Sequence, residues 1–152
     1  MFFGKKVVVP VDIDNDVITL LHPLREMEFL KHSEIHFVHV FNTFNYTTVF
    51  ADFPMIYPVE GDLNGIEESV NAFMKKTGQK VIPDYFTGKF FQKCLFSERP
   101  KEKFCEYVKE LKADLIIVPT RLKHGVFESS FALYANKHTT ANMIFLKDRM
   151  HS

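Results

Sequence analysis

Carboxylates alternate at Asp12, Asp14 and Asp16, directly after the apolar run Val7-Val8-Val9. Oxygen ligands at this spacing suit a hard cation such as calcium. A calcium loop of the EF-hand type needs glycine at its sixth position and glutamate at its twelfth, and those places hold Val17 and Pro23. The reading that needs nothing further is that these acids cap a helix starting near Val17 and complement its dipole. Histidines cluster at His32, His36 and His39. In a strand, positions 36 and 39 point to opposite faces, which is poor geometry for one shared metal. His39, inside an apolar run, reads as a hydrogen-bonded core histidine. Cys94 and Cys105 lack both CxxC spacing and a matching histidine pair, so two buried thiols in a reducing compartment are expected.

No G-x-S-x-G elbow, Walker loop or G-x-G-x-x-G is present. Nothing in the sequence assembles a nucleophile, a base and an oxyanion donor, so an enzyme is not expected.

Strands and helices must position these residues. Val7-Val8-Val9, Ile35 to Phe41 and Leu115-Ile116-Ile117-Val118 are short runs rich in β-branched residues, as in strands buried on both faces, and the first and third end at proline. Met143 to Leu146 reads as a last strand, and a further one falls within residues 80–96, best at Phe91 to Phe96. Between them, Val17, Leu20, Leu21, Leu24 and Met27 repeat at helical spacing, with Pro23 implying a kink or a later start. Ile66, Val70, Phe73 and Met74 mark a second helix, closed by Gly78. Phe104, Val108 and Leu111 mark a third, with Pro100 at its first position. Phe131, Tyr134, Ala135 and His138 mark a fourth. Strands alternating with helices predict an α/β fold around a mostly parallel sheet. The stretch Asn42 to Gly65 is irregular and aromatic, with Phe44, Tyr46, Phe50, Phe53 and Tyr57. It reads either as a lid over the sheet edge or as a partner or ligand surface.

The chain has 152 residues, enough for one domain, with 46% hydrophobic and 25% charged residues, the balance of a globular protein. Lys+Arg and Asp+Glu both number 19, so the cation excess that a general nucleic-acid binder uses against phosphates is missing. The start Met1 to Lys6 places its apolar residues before its charge, unlike a signal peptide. No apolar run approaches the roughly 18 residues of a membrane span. A cytoplasmic domain, bound neither to membrane nor to nucleic acid, is the expectation.

Three segments in order carry a resemblance. Val7-Val8-Val9-Pro10-Val11-Asp12, Phe37-Val38-His39-Val40 and Ala113-Asp114-Leu115-Ile116-Ile117-Val118-Pro119-Thr120-Arg121 resemble the first, second and fourth strands of universal stress proteins. The similarity spans nearly the whole chain. It implies a Rossmann-like, five-stranded parallel sheet with helices on both faces, commonly dimeric through the last strand, here Met143 to Leu146. In the ATP-binding members a loop of pattern G-x2-G-x9-G-(S/T) follows the fourth strand. Its glycines let backbone N–H groups approach the phosphates, and its Ser or Thr opens a helix whose N-terminus favours anions.

Here the first glycine position is Pro119 and the second Leu122, while the closing pair aligns with Ser129-Ser130 after a loop about three residues shorter. Gly125 is out of register. Proline removes a donor, and a leucine side chain would fill phosphate space. By the same resemblance Asp12 and Val40 match positions that hold adenine. The sequence is similar to the branch that dimerises without ATP, which implies a non-catalytic stress-response homodimer acting on a protein partner and needing no cofactor. The alternative is a regulatory switch holding ATP or AMP through Asp12, Val40, Ser129 and Ser130. A strand followed by D-x-D also resembles phosphatases of the haloacid dehalogenase type, but those imply Thr or Val where Asp16 stands, and further acidic ligands.

Overall fold

Valine at positions 7, 8 and 9 loses little by extending, and its branched side chains fit a surface packed on both sides. In the computed structural model these residues form the centre of β1 (Lys6–Pro10), and each is fully buried. The structure describes residues 5–13, 17–43, 63–120, 122–123, 126–127 and 130–147. After β1 come α1 (Val17–Leu21), β2 (Glu34–Asn42), α2 (Leu63–Val81), β3 (Lys89–Ser97), α3 (Pro100–Leu111) and β4 (Leu115–Thr120). Two short strands, β5 (Leu122–Lys123) and β6 (Val126–Phe127), precede α4 (Ser130–His138) and β7 (Asn142–Lys147).

The main sheet has the order β3-β2-β1-β4-β7, and every pairing in it is parallel. Alternation along each strand feeds two cores. On one face Val7, Val9, Ile35, Phe37, Leu115 and Ile117 pack with α1, the 3-10 turns that follow it, and α2. On the other, Val8, Val38, Ile116 and Val118 pack with Phe104, Cys105 and Val108 of α3 and Ala132 and Ala135 of α4. Phe37 and Phe104, one in each core, are among the largest side chains removed from water. Each contributes on the order of 1.5–3 kcal/mol by burial.

Four details differ from the sequence reading. The first helix neither kinks nor starts late: α1 begins at Val17 and gives way to a 3-10 turn, His22–Glu26, which takes Pro23 in its first turn, where no N–H is needed. The acids Asp14 and Asp16, read as its caps, lie outside the described residues. Second, α2 runs through Gly78 to Val81 instead of closing there. Gly78 meets β3 on this face, and a Cβ on it would overlap the Phe90 ring, so a side chain's absence is what the position needs. Third, β4 continues past Val118 through Pro119 to Thr120, with Pro119 level with Leu146 of β7. Fourth, the irregular stretch is shorter than Asn42 to Gly65, because Asn42 ends β2 and Gly65 lies within α2. Residues 44–62, and with them the aromatic lid, lie outside the described residues.

Pro100 does open α3, and that helix ends with Lys112 in a left-handed conformation at φ 58°. The Lys112 N–H reaches the carbonyls of Lys109 and Val108, closing the last turn. No described helix is long and apolar enough to cross a membrane.

Candidate functional site

A chain that leaves β1 toward β2, and later returns to β4 on the other side, opens a crevice beyond the C-terminal ends of those two strands. Here β1 and β4 pair only at Val7↔Leu115 and Val8↔Ile116, after which β4 is laddered to β7 alone. Asp12 follows β1 at this opening and is exposed. Its position is fixed by the residue before it. Val11 is buried, its N–H donates to the Val38 carbonyl at 2.8 Å, and its own carbonyl accepts from His39 Nδ1 at 2.7 Å. His39, read from sequence as a satisfied core histidine, is satisfied but only half-buried, and it clamps the exit of β1.

Val40 lies on β2 at the same edge, half-buried against the core under α3. Pro10, the last residue of β1, is level with Val38, and Asp12 and Val40 each lie two residues further along their chains. Ser130 is the first residue of α4, and Ser129 lies outside the described residues.

After β4 the described residues are held in pairings and hydrogen bonds. Thr120 is buried, and its hydroxyl donates to the Leu146 carbonyl at 3.2 Å, tying the end of β4 to β7. Leu122 then pairs with Phe127 and Lys123 with Val126, an antiparallel ladder where the sequence reading had only a loop. Gly125, between those strands, lies outside the described residues.

A second polar cluster sits under β3. His36 of β2 is 6% exposed, with Nε2 2.8 Å from Glu34 Oε2 and Nδ1 3.0 Å from the Tyr107 hydroxyl of α3, and its ring stacks on Phe91. The hydrogen bond from His36 holds the Glu34 carboxyl below its usual range, and burial pushes the Tyr107 phenol up. Sequence reasoning weighed His39 and missed this group. The signal available was Glu34 and His36 two residues apart, on one face of one strand.

Both cysteines are buried and free, as expected, in separate cores: Cys94 on the α2 side and Cys105 on the α3 side. Burial, with help from the Glu67 charge, raises the Cys94 thiol to about 11, and burial raises Cys105 as well. Among the described residues no group of three His, Cys, Asp or Glu could hold a metal ion.

No family profile matches the sequence, and no curated protein sequence does. Solved structures match throughout. The hypothetical protein PH0823 superposes with TM-score 0.72 at 15% identity, over 97% of this chain and 98% of that one. A universal stress protein family protein from Arabidopsis thaliana with AMP bound gives TM-score 0.59 at 15% identity, covering 97% of this chain and 94% of that one. The universal stress protein from Archaeoglobus fulgidus in complex with dAMP gives 0.54 at 17%, covering 97% and 100%. The chain therefore has the universal stress protein fold.

Proposed function

We propose that this chain is a universal stress protein of the branch that works without ATP, a non-catalytic, cytoplasmic dimer acting through a protein partner. One observation carries the proposal. Where an ATP-binding relative needs glycines, β4 here extends through Pro119 to Thr120, and Leu122 enters the β5–β6 ladder. Backbone N–H groups spent in ladders, or missing as in proline, are not free to cradle phosphates. Equilibrium dialysis with labelled ATP and magnesium tests this: no stoichiometric binding is expected at micromolar concentrations, and its appearance would refute the claim.

A second reading rests on the other half of the crevice. Asp12 follows β1 and Val40 lies near the C-terminal end of β2, and some proteins of this fold are described with AMP or dAMP bound. A regulatory role for a nucleotide held by its adenine end, AMP in preference to ATP, fits that arrangement. It requires AMP to raise the melting temperature of the parent and Asp12→Ala to abolish the rise. A parent that AMP does not shift ends this second reading.

A further inference from the structure

Opposite the Asp12 end, at the N-terminal edge of the sheet, the last turns of α3 and α4 and the starts of β1, β4 and β7 enclose a cleft of about 580 Å³. Three lysines line it, Lys5, Lys109 and Lys112, all exposed, against one carboxylate, Asp114. Asp114 is tied into the sheet: its Oδ2 accepts from the Lys6 N–H at 3.0 Å, and its own N–H donates to the Lys6 carbonyl at 2.9 Å. Thr140 and Asn142 supply further polar groups to the wall.

The two helix ends that face the cleft would repel an anion if their carbonyls were bare. Part of that carbonyl charge is already taken up within the chain. Lys112 N–H donates to the Lys109 carbonyl and Ala113 N–H to that of Val108, each at 3.1 Å. On α4 both the N–H and the hydroxyl of Thr139 donate to the Ala135 carbonyl. Helix-dipole pairing accounts for Lys109, in the last turn of α3, but not for Lys5, which precedes β1. Lys112, at the end of α3, shares that pairing but stands in the left-handed conformation where glycine or asparagine sits more easily.

We propose that this cleft is a binding site for a small anion carrying two or more negative charges, held by Lys5, Lys109 and Lys112. The volume is that of a small-molecule site. The zero net charge of the whole chain argues against a long polyanion, which would need cations spread over a wider surface. Phosphate and carboxylate groups meet the same requirement, so pyrophosphate and citrate serve as the two probes. Calorimetry at low ionic strength, with backbone amide shifts followed by NMR, is the experiment.

Saturable binding below ~1 mM is expected, with shifts at Lys5, Lys112, Thr140 and Asn142. Lys5→Gln/Lys109→Gln, with unchanged far-UV circular dichroism, should weaken it roughly tenfold or more. Lys112→Asn, which keeps the left-handed turn, should weaken it too. Binding of pyrophosphate alone assigns the site to phosphates, and of citrate alone to carboxylates. Failure of both to saturate, equal affinity in the variants, or shifts confined to Asp12 and Val40 would overturn the proposal. The last outcome would leave the nucleotide reading intact, so the two ends of the sheet are tested separately.

Discussion

His36 is buried with a partner at each ring nitrogen. An ionised Glu34 only accepts, so Nε2 carries hydrogen, while Nδ1 meets the Tyr107 hydroxyl, a group that both donates and accepts. Both ring nitrogens are then paired. Removing one partner costs more than the bond itself is worth, because the other stays buried and unsatisfied. Tyr107→Phe should therefore lower the unfolding free energy by about 1–2 kcal/mol in urea titrations. Adding His36→Phe should cost less than the two single changes summed, and strict additivity would argue against the chain of bonds. The thiols offer a second check at this scale. Cys94 and Cys105 are buried and raised in pKa, which deprives them of thiolate at neutral pH. A disulfide reagent should leave both unmodified in the native protein at pH 8 and modify both in denaturant. Fast labelling of the native protein would contradict this.

At the scale of elements, periodicity decided more than punctuation. The β-branched runs found β1, β2 and β4, and Pro100 found the start of α3, because those signals reflect burial and backbone geometry at the residues themselves. Gly78 and Pro119 misled because each answers to a neighbour from elsewhere in the chain. Gly78 makes room for Phe90, whose ring meets Phe37 edge-on at 4.8 Å, and Pro119 is tolerated where β4 has a side free of β1. Gly78→Ala tests which rule governs. Helix propensity alone predicts a gain of about 1 kcal/mol. Displacing the Phe90 ring costs roughly 1–3 kcal/mol, so a net loss is expected in thermal or urea unfolding. Combining it with Phe90→Leu should recover part of that loss. A stabilised Gly78→Ala protein would mean the ring moves aside freely.

For the whole molecule, what could be read in advance was what lies along single strands. Asp12 and Val40 come from a family resemblance, whereas the His39 clamp on Val11 and the lysine cleft join residues far apart in sequence, which only the sheet order brings together. The same order leaves two edges, β3 and β7, and their residues differ. The outward positions of β3 alternate Lys89, Phe91 and Lys93, all exposed, and lysines of this kind deter edge pairing. Between Asn142 and Lys147, β7 carries Met143, Ile144, Phe145 and Leu146, with Phe145 43% exposed and Leu133 of the adjoining α4 69% exposed. An edge strand with apolar residues beside it is a pairing template, so the proposed dimer should form through β7. Sedimentation equilibrium at tens of micromolar should give a dimer for the parent. Phe145→Lys, which gives β7 the kind of charge that β3 already has, should shift the protein to a folded monomer, while Phe91→Lys should leave it dimeric. A monomeric parent would refute the dimer, and dissociation by the Phe91 change alone would move the interface to β3.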